Sequence, residues 1–131
     1  MTVSVIELIL PLALLCAGAD LAAVRAEPNA ERRSDRALAN ADIALDEAKK
    51  ALESGEAAKL VSGLEEVRES IRLCKESLEQ SGKNPRKNPK YFKKAEIGIR
   101  KLIRRLDNFK HEVPVEDRKP VEDLIETANR F

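Results

Sequence analysis

The chain contains 131 residues with a formal net charge of +1; 43% of the residues are hydrophobic, 36% are charged and 3% are aromatic. This length suffices for one hydrophobic core and argues against two domains. Few aromatic residues combined with abundant Ala, Leu, Glu, Lys and Arg are typical of long helices rather than of sheets. The composition therefore predicts a single all-α domain.

The N-terminal segment has the pattern of a signal peptide. A short apolar run, LILPLALL at residues 8–15, precedes two small-residue triplets that suit signal peptidase, AGA at 17–19 and VRA at 24–26. The run is much shorter than the roughly 20 apolar residues of a spanning helix. We therefore predict that residues 1–26 are a signal peptide and that residues 27–131 form one domain of an exported protein, periplasmic or secreted. Cleavage after either triplet stays open, and an uncleaved N-terminal membrane anchor or a cytosolic protein is the alternative.

Two apolar stripes predict the first two helices of this domain. The first helix runs from about Pro28 to Ser54, and the second ends at Gly82. Gly55 ends the first helix, and the very short connection makes the two helices antiparallel neighbours. Gly63 lies within the second helix, where it favours close helix packing. The stripe residues are Leu38, Ala41, Leu45, Ala48 and Leu52, then Leu60, Leu64, Val67, Ile71, Cys74 and Leu78.

Two further stripes predict a third, long helix and a fourth, shorter one. Asn88 is expected to cap the third helix while Pro89 takes its first position. Pro114 and Pro120 separate it from the fourth helix, which spans about Asp117 to Arg130. The stripe residues are Phe92, Ala95, Ile99, Leu102, Leu106, Phe109 and Val113, then Val121, Leu124, Ile125 and Ala128. The pattern predicts an antiparallel up-down-up-down helical bundle; the alternative is a three-helix bundle whose last segment packs loosely or dimerises.

The third predicted helix carries an unusual concentration of positive charge. Residues 83–105 hold ten Lys or Arg and one acid, Glu96. With Ile99 facing the core and 100° per residue, one group of residues projects between about 120° and 240°, opposite the core. This candidate binding face consists of Lys90, Lys93, Lys94, Ile97, Lys101, Arg104 and Arg105.

Two interpretations of this basic face stay open. Neighbouring acidic helices and water could neutralise a merely solvated face, or the face could bind an anionic partner such as an envelope protein, lipid headgroups or another polyanion. Ile97 favours the second interpretation, because an apolar residue ringed by cations suits an amphipathic partner. Nucleic acid is disfavoured, since base stacking needs exposed aromatic residues and only Tyr91 lies near this face.

The residues that enzymes use for catalysis are scarce in this chain. His111 is the only histidine, so metal sites built on a histidine pair are excluded. Cys74 is the only cysteine after residue 26, which excludes an intramolecular disulfide in the predicted mature chain. It occupies a stripe position and is expected to be buried, with a redox-active or dimer-forming thiol as the alternative. We expect a non-enzymatic protein without metal, cofactor or small-molecule substrate.

Two blocks of the sequence support a family resemblance. GKNPRKNPKYFKKAEIGIRKLIRRLDNF, followed by VEDR, and the earlier ERRSDRALANADIALDEA resemble a family of small exported bacterial helical proteins of unknown function. The resemblance extends over most of residues 27–131. It implies an exported helical protein of the cell envelope and transfers no catalytic residue, ligand or partner.

Overall fold

The computed structural model describes residues 18–131, and these residues contain helices and no strand. The predicted apolar run at residues 8–15 and Cys16 lie outside the described residues. A 3₁₀ turn at Val115–Asp117 separates the last two helices. The α-helices of the described part are α1, Leu21–Arg25; α2, Ala30–Glu53; α3, Ala57–Gln80; α4, Pro89–Glu112; and α5, Lys119–Asn129. The all-α helical bundle is therefore confirmed, with three long helices and a shorter C-terminal one. None of the helices in residues 18–131 is long and apolar enough to cross a membrane.

The ends of the long helices follow the predicted signals with one exception. Gly55 and Gly82 take positive φ angles of 70° and 68°, the left-handed conformation that only glycine adopts without cost. Each lies two residues after the last residue of its helix, α2 or α3. Pro89 opens α4, as predicted. Asn88 occupies the N-cap position, as predicted, but its side chain forms no capping hydrogen bond. Its backbone N–H donates to the Asn84 carbonyl oxygen at 2.8 Å, which holds Asn88 in the preceding turn.

α2 and α3 form an antiparallel hairpin with closely spaced backbones. α2 presents small buried residues, among them Ala44 and Ala48, to α3. A Cβ atom at Gly63 would lie 3.2 Å from the Cβ of Ala48 and 3.4 Å from the carbonyl oxygen of Ala44. Such distances leave little room for a larger side chain, so the predicted role of Gly63 in close packing is confirmed.

α4 and α5 form a second hairpin with larger core residues. Leu106 and Phe109 of α4 are completely buried, and Val121 and Leu124 of α5 are at most 1% exposed. The last segment is therefore an integral part of the core. The alternative of a three-helix bundle with a loosely packed C-terminal segment is wrong.

The lateral arrangement of the hairpins determines the surroundings of the basic face. α4 lies beside α2, and α5 lies beside α3. Lys94 approaches Asp35, whereas Arg105 approaches Asp42, so α2 and α4 run in the same direction. A Cβ atom at Gly98 would meet the Leu38 Cδ1 atom at 2.9 Å. The basic segment of α4 thus lies alongside the part of α2 that contains Asp35, Leu38 and Asp42.

The short helix α1 was not predicted as part of the fold. It lies within the segment expected to be removed, yet Val24 is only 8% exposed and joins a cluster of buried residues from α2, α3 and α4. That cluster contains Ala37, Leu73, Cys74, Leu78 and Ala95. Packing against the bundle therefore extends to residues before 27.

Cys74 lies in the same cluster and is completely buried. Burial, with a contribution from the negative charge of Asp35, raises the pKa of its thiol to about 12. The predicted buried position of Cys74 is confirmed, and at neutral pH its thiol is protonated and shielded from solvent.

Candidate functional site

All seven residues of the predicted basic face lie on α4, and their exposure differs. Ile97 is 45% exposed, which agrees with its predicted outward position. Arg105 is half-buried, with 29% of its side chain exposed. The remaining members are exposed: Lys90, Lys93, Lys94, Lys101 and Arg104. The opposite side of α4 contributes Ile99, Leu102 and Leu106 to the core.

Two members of the face are bound to aspartates of α2, and we call them, with those aspartates, the paired edge. Lys94 Nζ lies 2.9 Å from Asp35 Oδ2. Arg105 Nη1 donates to Asp42 Oδ1 at 2.8 Å and to the Asp42 carbonyl oxygen at 3.3 Å, and Arg105 Nη2 donates to Asp46. Along this edge α2 neutralises positive charge that α4 contributes.

Arg105 is the central residue of the paired edge. Burial of its guanidinium opposes the charged form, but hydrogen bonds and electrostatic attraction from Asp42 and Asp46 outweigh this effect and raise the pKa of Arg105. A guanidinium that bridges two carboxylates is held in a fixed orientation. Arg105 therefore fastens α4 to α2 and has little freedom to engage another molecule.

Four cations of the face have no such partner. Within residues 18–131, Lys90, Lys93, Lys101 and Arg104 form no ion pair. Together with Ile97 they form what we call the free stripe. Its members follow one another at steps of three, four, four and three residues, the spacing of one narrow helical seam. At 1.5 Å per residue the free stripe is about 20 Å long.

The other side of the free stripe is bounded by a local ion pair. Arg100 Nη2 lies 2.5 Å from Glu96 Oε1, one helical turn earlier. Glu96 is the only acid of residues 83–105, and it is thereby occupied with a residue outside the predicted face. The free stripe consequently lies between the paired edge on one side and the Glu96–Arg100 ion pair on the other.

A separate contact fixes the loop that leads into α4. Lys83 Nζ lies 2.5 Å from Glu31 Oε1 and 4.1 Å from the centre of the Tyr91 ring. The hydrogen bond from Lys83 lowers the pKa of Glu31, and the same bond raises the pKa of Lys83. Lys83 is thus a basic residue of this segment that serves the fold, and it positions the start of α4 against α2.

The aspartate row on α2 is the part of the site that sequence reasoning missed. Asp35, Asp42 and Asp46 are separated by seven and four residues, so they share one face of α2. This periodicity was visible in the sequence. The fact that α4 lies beside α2 was not. A helical wheel drawn with a single core direction therefore does not show that Lys94 and Arg105 meet aspartates of α2.

The described residues offer few groups for other chemistry. No cluster of three or more potential metal ligands occurs in residues 18–131. His111 lies exposed in the last turn of α4, two helical turns beyond Arg104, the last cation of the free stripe.

Comparisons with family models, with curated proteins and with solved structures find no match to this chain. The resemblance to exported helical proteins stays a prediction that these comparisons leave untested.

Proposed function

We propose that this protein is an exported, non-enzymatic interaction module that binds an acidic segment of an envelope protein through the free stripe of α4. The observation that carries the proposal is the division of the basic face. The fold neutralises Lys94 and Arg105. The four cations of the free stripe, which also contains the exposed Ile97, have no carboxylate partner within residues 18–131. Unpaired charge of one sign attracts anionic partners over long distances.

The shape of the free stripe favours a helical partner. Its seam-like spacing and its length of about 20 Å match one face of a helix of four turns. An acidic helix with an apolar residue at its centre would place carboxylates against Lys93, Lys101 and Arg104 and its apolar side chain against Ile97. Helix-to-helix recognition of this kind combines hydrophobic anchoring with charge complementarity.

Export is the second part of the proposal. The apolar run at residues 8–15, the small-residue triplets that follow it and the family resemblance support it. Export would restrict the partners of the free stripe to molecules of the envelope.

Binding to an anionic surface, such as lipid headgroups or a soluble polyanion, is the alternative function. The unpaired cations support it equally well. Ile97 is the only exposed large apolar residue among those described on α4, and a helix that lies in a membrane interface needs a broad apolar face. This difference favours a protein partner over a lipid surface.

A photo-crosslinking amino acid at position 97 tests the proposal in cells of the native host. Val61 on α3 is also exposed and apolar, so the same amino acid at position 61 is the matched control. We expect a discrete protein adduct from position 97 that disappears when Lys90, Lys93, Lys101 and Arg104 are replaced by Glu. Replacement of Lys50 and Lys75, which lie outside the stripe, by Glu should leave the adduct unchanged.

Two outcomes would contradict the proposed partner class. Equal adducts from positions 97 and 61 would mean that position 97 is not part of a specific interface. Absence of any protein adduct, combined with binding to anionic vesicles that weakens steeply with salt, would support the surface-binding alternative.

A further inference from the structure

The residues that lead into α1, and its first residue, are held by side chains of the bundle. Three consecutive backbone N–H groups donate to α2 and α3, and none of these contacts is local in sequence. The bonds run from Ala19 to Glu47 Oε1 at 2.8 Å, from Asp20 to Asn40 Oδ1 at 2.8 Å and from Leu21 to Glu66 Oε1 at 3.1 Å. These three hydrogen bonds thus fix residues 19–21 against the α2–α3 hairpin.

Asn40 of α2 is the buried partner in these contacts. Its side chain is only 4% exposed, and a buried amide needs partners for all of its polar atoms. Nδ2 donates to Ser70 Oγ at 3.0 Å and to Glu66 Oε1 at 3.3 Å. Oδ1 accepts the N–H of Asp20, so loss of residue 20 would leave this oxygen without that donor.

α1 itself adds apolar and ionic contacts. Val24 is 8% exposed within the cluster that includes Leu73 and Leu78. Arg25 Nη2 lies 3.5 Å from Glu69 Oε2. Asp20 caps the helix by accepting the N–H of Ala23 at 3.2 Å. Removal of residues 20–26 would expose apolar surface of α2 and α3 and abolish these contacts.

The two small-residue triplets therefore differ in their structural consequences. Cleavage after Ala26 removes the whole of α1 together with Val24. Cleavage after Ala19 removes only the N–H of Ala19 from the contacts described above, and it leaves Asp20 and α1 in place. By sequence alone, signal peptidase could accept both positions. The packing distinguishes them, because only cleavage after Ala26 would remove α1 from the bundle.

We propose that the protein is processed between Ala19 and Asp20 and that residues 20–26 belong to the mature bundle. This inference rests on the export part of the proposed function. Hydrolysis of this peptide bond consumes one water molecule, leaves a carboxyl group on Ala19 and gives Asp20 a free amino group, which is largely protonated at neutral pH. The new ammonium has Asn40 Oδ1 as an acceptor and lies beside the carboxylates that now bind its neighbours, Glu47 and Glu66.

Intact mass and N-terminal sequencing of the protein from the exported fraction of native host cells test this inference. We expect a species that begins at Asp20. A species that begins at Glu27 would overturn the inference and leave export standing. Full-length protein confined to the cytosol would overturn both the inference and export, whereas crosslinking from position 97 reports on the free stripe independently.

Two substitutions make the test sharper. Signal peptidase requires a small residue directly before the cleaved bond, so Ala19→Leu should reduce the processed species at least tenfold. Ala26→Leu, at an exposed position, should leave both the amount and the N-terminus of the product unchanged. The opposite result, with processing blocked by Ala26→Leu and not by Ala19→Leu, would overturn the inference.

Discussion

The paired edge and the free stripe of α4 consist of the same residue types on one helix, yet they have different surroundings. Lys94 and Arg105 lie against the aspartates of α2. Lys101, one turn before Arg105, forms no ion pair within the described part of the chain, and neither does Arg104, which directly precedes Arg105. A rotation of about 100° per residue around the helix is enough to separate a cation that serves the fold from one that faces solvent.

The difference between paired and unpaired cations explains how the bundle tolerates ten basic residues within residues 83–105. Part of the charge is neutralised by the fold, through Asp35, Asp42 and Asp46 for the paired edge and through Glu31 for Lys83. Arg100 is paired with Glu96, and Arg86 and Lys87 lie in the loop before α4. The four cations left over are those of the free stripe. A positive patch that the protein does not neutralise in itself is a candidate for binding, and one that is neutralised is structural.

The largest effect on stability is expected when the paired edge is reversed. Arg105→Glu would place a third carboxylate beside Asp42 and Asp46, and it would remove a guanidinium that is half-buried between two helices. Solvent weakens this interaction because both aspartates are more than half exposed. We expect the free energy of unfolding to fall by about 1–2 kcal/mol, measured by urea denaturation.

Arg104→Glu is the matched control for this prediction. It reverses the same charge one residue away, in the free stripe, where no ion pair is lost within residues 18–131. The free energy of unfolding should change by less than about 0.5 kcal/mol. Equal destabilisation by the two substitutions would contradict the division of the face.

A smaller effect on stability is expected when the Glu31–Lys83 ion pair is removed. This pair is a second place, in the loop before α4, where the fold neutralises a basic residue. The pKa of Glu31 is lowered from 4.5 by its hydrogen bond from Lys83, so its contribution to stability is present above pH 4.5 and disappears as the pH falls through the lowered value. The pKa of Lys83 is raised from 10.5, so its contribution persists below that pH and disappears as the pH rises through the raised value.

Thermal unfolding of Glu31→Gln at two pH values tests this assignment. The variant should have a lower Tm than the unmodified protein at neutral pH, and the difference should vanish in acid, where Glu31 is protonated in both states. A Tm difference that is independent of pH would show that the effect of the substitution does not come from the ion pair.

The architecture was largely predictable because each element carries its own local signal. Apolar periodicity predicts the four bundle helices, positive-φ glycines end two of them, and Gly63 favours the close contact of α2 with α3. These features depend on residues that are close in sequence. The outward position of Ile97 follows from the same periodicity.

Features that depend on which helices become neighbours were not predictable. The paired edge requires α4 to lie beside α2, and no local pattern specifies that arrangement. Packing of α1 on the bundle was missed for another reason, because residues 20–26 also satisfy the pattern of a signal peptide end. Asn88 occupies the predicted N-cap position, but its side chain forms no capping hydrogen bond.

Salt-dependent elution from immobilised heparin, a simple polyanion, tests the central claim most directly. Two double variants remove the same number and type of charges, Lys101→Gln with Arg104→Gln from the free stripe and Lys94→Gln with Arg105→Gln from the paired edge. We predict that the stripe variant elutes at clearly lower salt than the unmodified protein. The edge variant should shift much less, because Lys94 and Arg105 are engaged by aspartates of α2 and make no direct contact with the polyanion. Equal shifts for the two variants would mean that only net charge matters, and they would contradict the claim that the free stripe is the binding site.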